Sequence, residues 1–504
     1  MMRRILSILT NRLNFILLFL LLQVIFIVWI VLRLTQTWIY IHLVSVFLGF
    51  LISLYLLSKD ENPMHKLSWI ILLLVVPVFG VLLYLYSRTE KLPNSITSRM
   101  KNFQIIREDE LKKIESKESV DNYKQQKYLN NMHFPGYQNT KSKFLGSGEE
   151  KQKELLKALN QAKHFIFMEY FIITKSKMWN QILETLIKKQ KEGVEVRIIY
   201  DDFGSSTKLP LFYYRTLRKK HKFKVVRFNP MKLHINFAMN YRDHRKIVVV
   251  DNKIAFTGGI NIGDEYLNKK KRFGEWHDAA IMIEGEAVWS FTVFFLENWS
   301  FCKKNEVINF DDYKLKHYVE NKSLYIPFSD IPSDANLTGK GTILHLINDA
   351  KEYVYITAPY LILDNEVATA LKLAANSGII IKIIIPNIPD KKFVYMVSES
   401  FVSELINYGI EIYKYLPGFI HSKMIISDGK TAMIGTSNLD FRSLYMHLEN
   451  NVWLNDEKTI LEMVKYYSGT LNQSMKITKD TIRYRNIIYR MIQAILRGMA
   501  PLLW

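Results

Sequence analysis

An eighteen-residue pattern occurs twice in this chain, and any fold has to accommodate both copies. It runs from His244 through Lys246 and Asp251 to Gly258 and Asn261, and again from His421 through Lys423 and Asp428 to Gly435 and Asn438. Both copies read H-x-K-x4-D-x6-G-x2-N without slippage, although only 12 of the 504 residues are histidine. A lone His on a strand is more often a hydrogen-bonded core residue. Duplication at identical spacing argues for two copies of one working unit.

The repetition extends well outside the pattern. Leu155, Leu156, Asn160, Ala162, Lys163 and Phe165 are matched by Ile343, Leu344, Asn348, Ala350, Lys351 and Tyr353 at a constant offset of 188. Each stretch reads as an amphipathic helix feeding a buried strand. A second helix, a Gly and another strand follow in both halves, beginning at Gly193 and Gly378. The fold class is therefore α/β, a duplicated sheet-and-helix unit with a pseudo-twofold relation. The lobes are expected at residues 146–310 and 341–476, joined by a connector at 311–340.

Alternation along a strand puts residues i and i+2 on one face, so His244 projects with Lys246 and His421 with Lys423. Asp251-Asn252 and Asp428-Gly429 are hairpin-turn dipeptides, after which the next strand returns. That return brings Asn261, or Asn438, back towards the His and Lys. Each Asp sits at the far end of its hairpin, a structural task.

Such a constellation suits chemistry at phosphorus. A neutral imidazole attacks, while ammonium and amide groups hold the non-bridging oxygens, and no metal or cofactor is needed if these supply the charge. Displacement also needs an acid for the leaving oxygen, which a second His of ordinary pKa about 6.5 can be. Two lobes supply both.

The first 88 residues read as a helical membrane anchor. Twenty uncharged residues separate Arg12 from Arg33, twenty-five separate Arg33 from Lys59, and twenty-one separate Lys66 from Arg88. Each run is long enough to span as a helix, which takes about 20 residues, so two or three spans are expected, with the crossing of 13–32 open. Three spans leave five cations on each side of the membrane; two spans put eight on the side of the lobes and two opposite, favouring cytoplasmic lobes. Residues 89–145 are polar and read as a solvated linker with a helix near 107–119, and residues 477–504 as a basic helix. The net charge of +20 implies an anionic partner, membrane or nucleic acid. Cys302 stands alone, which excludes an internal disulfide framework and fits a reducing compartment.

The doubled H-x-K-x4-D motif resembles the phospholipase D superfamily, and more narrowly its bacterial cardiolipin synthases. The likeness runs from about residue 36 to the end and includes Asn62-Pro63, Pro77 to Gly80, Asp201 to Gly204, Phe228 to Pro230, Gly435 to Ser443 and Pro501 to Leu503. The resemblance implies a multi-pass enzyme of the bacterial cell membrane acting on phosphatidylglycerol among acidic lipids, with no nucleic-acid partner. His244 would be the nucleophile that forms a phosphatidyl-histidine, and His421 the acid that releases glycerol and then the base for a second phosphatidylglycerol. Lys246, Lys423, Asn261 and Asn438 would cradle the phosphate. Asp251 and Asp428 belong to the family's catalytic motif. The family often sets an acid behind each His: Glu449 is the candidate in the second lobe, and Asp278 its counterpart in the first.

Other readings compete. The same pair of histidines serves hydrolysis of phospholipid or nucleic acid, and a membrane-tethered binder of acidic lipid would explain the charge without explaining two intact motifs. Lys269 to Arg272 reads as a solvated loop, Trp276, Trp289 and Trp299 as core, and the tail helix as docked on the second lobe, with the membrane surface as its alternative.

Overall fold

In a computed structural model of the chain, residues 21–29, 36–89, 94–119, 121–230, 240–303, 306–332, 336–480 and 486–503 are described. They fall into two compact units, one made of the described residues between 96 and 485, the other of those up to 95 together with those from 486 onward.

The larger unit contains both repeats. In chain order its strands are β1 (Thr140–Leu145), β2 (Phe165–Tyr170), β3 (Glu195–Asp201), β4 (Lys224–Phe228), β5 (Arg242–Asp243), β6 (Lys246–Val250), β7 (Ile254–Gly258), β8 (Glu275–His277) and β9 (Ala280–Gly285). The second half continues with β10 (Tyr325–Asp330), β11 (Tyr353–Thr357), β12 (Ile380–Pro386), β13 (Glu411–Tyr415), β14 (Gly418–Ile420), β15 (Met424–Ser427), β16 (Thr431–Gly435), β17 (His447–Leu454) and β18 (Ser474–Lys476). The first sheet runs β1-β9-β7-β6-β2-β3-β4 and the second β10-β17-β16-β15-β11-β12-β13-β18. Strand for strand the orders correspond, with β18 added at one edge, so the expected duplicated α/β fold is what the structure has.

Burial explains the strands. β2 is buried at every position, and β3 at every position after Glu195, as parallel strands covered on both faces are. Ile166, Met168 and Tyr170 pack with Leu155, Leu159, Met178, Ile182 and Leu186 of the helices Gly148–Gln161 and Lys177–Lys191. On the opposite face Phe167 stacks on Phe295 at 4.5 Å. Phe295 lies on the Val288–Cys302 helix, which is apolar almost all round and buried from Val288 to Ser300. Trp289 and Trp299 belong to this core. Serines 147 and 176 cap the two covering helices by accepting from Glu150 N and Trp179 N.

Two boundaries differ from the sequence reading. The stretch 89–145 is not a solvated linker: it carries the helices Asn94–Lys112 and Lys124–Asn131 and then β1, which pairs with β9. Arg107 is buried there, 3.5 Å from Glu297, 3.3 Å from Ser329 Oγ and over the ring of Phe134. Leu111, Leu129, Phe134 and Tyr137 are buried there as well, but they are few among polar residues, and contacts like those of Arg107 leave no mark on apolar periodicity. Likewise β10, expected in a connector, is a strand of the second sheet paired with β17.

In the smaller unit the helix Gln36–Leu57 is long and apolar enough to cross a membrane. The run expected as a further span is instead two 13-residue helices, Pro63–Val75 and Pro77–Thr89, folded back on each other. Val76 leaves helical geometry, and Pro77 lacks the N–H that would continue the helix. Trp69 meets Tyr84 at 5.2 Å, and a Cβ on Gly80 would lie 2.8 Å from Leu72 O. Each arm rises about 20 Å, short of the roughly 30 Å of a hydrocarbon core. Of the first apolar run, residues 21–29 are helical; the remainder lies outside the described residues. The tail helix Ile487–Gly498 belongs to this unit, not to the second lobe.

Candidate active site

The histidine–lysine pairs stand at the heads of β6 and β15: Lys246 opens β6 with His244 two residues before it, and His421 and Lys423 immediately precede β15. On either side of His244, Asp243 and Arg245 turn into the lobe: Asn298 donates to Asp243 at 3.0 Å, and Arg245 donates to Phe294 O at 3.3 Å and lies 3.6 Å from Glu297. In the second lobe the intervening Ser422 donates to Thr357 at 3.1 Å. The alternation leaves His244 and Lys246, and His421 and Lys423, facing the other way.

The hairpin turns have the two consecutive positive φ values of a type I′ turn, 51° and 52° at Asp251-Asn252 and 54° and 64° at Asp428-Gly429. Asp251 accepts the backbone N–H groups of Lys163, His164 and Phe165 at 2.7–2.8 Å. Asp428 accepts those of Lys351, Glu352 and Tyr353 at 2.8–2.9 Å. Both carboxylates thus start the first parallel strand of their lobe, about 17 Å along the strand from the lysines. Replacing either by Ala strands three N–H groups, so each should lower stability by about 2–4 kcal/mol, read as a fall in Tm. The fraction that still folds should keep its kcat; loss of kcat at unchanged Tm would give these aspartates a chemical part.

The histidines are oriented from the opposite lobe. β5 pairs in parallel with β17, and His244 N donates to Leu448 O at 2.9 Å. The next residue, Glu449, takes the His244 Nδ1 hydrogen bond at 2.9 Å. Symmetrically, β14 pairs in parallel with β8, His421 N donates to His277 O at 2.7 Å, and Asp278 holds His421 Nδ1 at 2.6 Å. The within-lobe pairing expected of these acids is therefore corrected: each crosses to the other lobe's histidine. Strand exchange is the cause, because the residue before each acid is tied to the opposite histidine's own backbone. The motif glycines allow the close approach: a Cβ on Gly258 would lie 2.5 Å from Ala280 Cα, and one on Gly435 2.3 Å from Asn451 Oδ1.

The two acids have unequal company. Glu449 also receives hydrogen bonds from the hydroxyls of Thr436 and Ser443. Asp278 has His421 and one backbone N–H, that of Ala279 at 2.9 Å.

Burial, reinforced by Lys246, Lys423 and His421, holds the pKa of His244 well below the usual range. Burial and Lys423 lower His421 to about 4, against the opposing pull of Asp278. Lys246 is lowered to about 7 and Lys423 to about 8, burial being the main cause in both. Each Lys donates to the backbone carbonyl of its own His, Lys246 at 2.6 Å. Charge acts across the lobes here: Lys423 lowers both His244 and Lys246, and Lys246 lowers His421.

The asparagines are not equivalent. Asn261 accepts from Ile172 N at 3.1 Å and donates to Tyr266 OH at 2.8 Å, so most of its amide is spent on scaffolding. Asn438 Oδ1 is buried without a hydrogen bond, beside Lys423 and Ser437. Sequence reasoning missed His447, two residues before Glu449 on the same strand face. Its ring lies 5.4 Å from that of His244, and its Nδ1 is 3.7 Å from Glu449. It also missed the collar of Tyr266, Trp276 and Phe419 around His421, at 6.1, 5.2 and 5.8 Å between ring centres. Period-two alternation would have placed Trp276 beside Asp278, as it places His447 beside Glu449.

His244, His447 and Glu449 offer three possible metal ligands within 4.8 Å of one another. Lys246 and Lys423 face the same volume, and their charge disfavours a cation there.

Residues 155–290 and 343–471 match the family described as cardiolipin synthase, PLD-like domain, and residues 45–88 match the phospholipase D-nuclease N-terminal family. A protein named cardiolipin synthase from Alkalihalophilus pseudofirmus is 34% identical over 472 residues, covering 90% of this chain and 92% of that one. The chain belongs to the cardiolipin synthase family. That family comprises membrane-associated phosphatidyltransferases of the phospholipase D type. An uncharacterized protein from Streptococcus mutans is 38% identical over 459 residues, covering 89% of this chain and 99% of that one. In fold alone, the chain resembles the crystal structure of phosphatidylserine synthase from Haemophilus influenzae, with a TM-score of 0.57 at 14% identity over 75% of this chain and 98% of that one.

Proposed function

We propose that this member of the family transfers a phosphatidyl group from one phosphatidylglycerol to another, giving cardiolipin and glycerol. The observation that carries the reading is the crossed pair, His244 on Glu449 and His421 on Asp278, facing two lysines. With Nδ1–H engaged by Glu449, neutral His244 presents the Nε2 lone pair. It attacks phosphorus as the bond to the glycerol oxygen breaks, and His421 gives its proton to that oxygen. A second phosphatidylglycerol then passes its hydroxyl proton to His421 as its oxygen attacks phosphorus, and the P–N bond breaks to free His244. Held at Nδ1 by Asp278, His421 can take up and release a proton at Nε2, the role of proton carrier. Lys246, Lys423 and Asn438 are assigned to the non-bridging oxygens, and Asn261 to the support of Tyr266. The aromatic collar around His421 favours a lipid hydroxyl over water as acceptor.

The lobes are placed on the cytoplasmic face. The lone Cys302 supports this, as do Lys59 and Lys66 just after the crossing helix against Arg33 before it.

The test is purified full-length chain in phosphatidylglycerol vesicles, with and without EDTA, and products resolved by mass. Cardiolipin with equimolar glycerol is expected in both arms; phosphatidic acid would make the chain a hydrolase, and unchanged lipid would remove the reading. The pKa values also predict the pH profile. Protonating His244 requires pH well below 6.5, so loss of the nucleophile does not limit kcat/KM at pH 6, whereas the proton that His421 must donate, held with a pKa of about 4, grows scarcer as pH rises; kcat/KM should therefore be higher at pH 6 than at pH 8. Deprotonation of Lys246 and then Lys423 should erode it as pH rises through about 7 to 8.

A further inference from the structure

The tail helix is not explained by the chemistry above. At 100° per residue, Ile487, Met491, Ile495, Ile488 and Ile492 fill one stripe about 140° wide. They are 74, 61, 64, 65 and 42% exposed, so protein does not cover the most apolar side of this helix. The neighbouring side is the one that docks. Leu496 is buried, Gly498 O accepts from the hydroxyl of Ser68, and Leu502 joins Trp69, Leu72, Leu73 and Tyr84 in one cluster. A surface helix in water turns its apolar stripe inward; this one turns it outward. The arm on which it docks, Pro63–Val75, also exposes Leu67, Ile71, Leu74 and Val75. Arg490 and Arg497 lie together beyond the apolar stripe, and residues 481–504 contain four arginines and no acid.

We propose that the Ile487–Gly498 helix lies in the lipid–water interface of an acidic membrane, its isoleucine stripe among acyl chains and its arginines at anionic headgroups. Twelve residues rise about 18 Å, too short to cross. The stripe continues the apolar surface of a unit that already holds a crossing helix, and the positive charge matches anionic lipid. The helix thereby fixes the depth of the Pro63–Thr89 hairpin to which it is tied.

The experiment uses full-length chain carrying Cys302→Ser and one spin label, at Ile492→Cys on the stripe or Arg490→Cys on the basic side, in vesicles of phosphatidylglycerol and phosphatidylcholine. Collision with oxygen, which concentrates in acyl chains, is compared with collision with a water-soluble nickel chelate. The label at 492 should favour oxygen and the label at 490 nickel, inverting the ratio between positions 160° apart on the helix. Nickel access at 492 equal to that at 490 would put the stripe in water and overturn the proposal. Shielding of 492 from both reagents would show protein on the stripe, a second copy or a lobe, and would overturn it as well. Ile488→Cys is the second stripe position should Ile492→Cys fail to fold.

Discussion

Replacing His244 by Ala should lower turnover of phosphatidylglycerol by at least about 10⁴-fold, because the bond-forming nitrogen is lost while the rest of the site remains. His421→Ala should cost about as much with the natural substrate. The double variant should be no worse than either single one, since the two act as a unit. A phosphatidyl ester of p-nitrophenol separates their roles, because its leaving group needs no proton. On it, His421→Ala should still release one equivalent of nitrophenol and retain the phosphatidyl group on His244, seen as a mass increase of the protein. His244→Ala should release none. A burst from His244→Ala and none from His421→Ala would reverse the assignment.

The second large effect concerns the acids. Glu449→Gln removes the anion that selects the Nδ1–H tautomer of His244, and Asp278→Asn does the same to His421. Each should lower kcat by about 10²–10⁴-fold, the range in which losing the orienting carboxylate of a catalytic His lies. Crossing makes the outcomes distinguishable. Glu449 lies in the second lobe yet serves the first lobe's histidine, so Glu449→Gln should suppress the nitrophenol burst. Asp278→Asn should leave the burst largely intact and block the proton-dependent steps. The opposite result would mean that each acid serves its own lobe.

The duplicated motif disclosed the lobes because it is local: spacing along one hairpin is enough to predict which side chains share a face. The pairing of Glu449 with His244 is 205 residues long and depends on two short strands, Arg242–Asp243 and Gly418–Ile420, that leave their own sheets. No periodicity marks such exchanges. The hairpin at Val76–Pro77 escaped for a different reason. Twenty-one uncharged residues satisfy the length rule for a span, and only the weight given to Pro77 and Gly80 separates one helix from two. The stretch 89–145 reads as a linker because a fully buried Arg107 looks, as a letter, like a solvated one.

The two exchanged strands also set a mechanical tolerance. In both junctions a histidine and the opposite acid are anchored within one residue of the same backbone hydrogen bond, His244 N to Leu448 O and His421 N to His277 O. A slip of one residue between the lobes is about 3.3 Å, more than a hydrogen bond can follow. Slippage at either junction would therefore cost its histidine the tautomer it needs. On the proposed mechanism transfer requires the two lobes to stay in register, which makes the seam between them a working part of the enzyme.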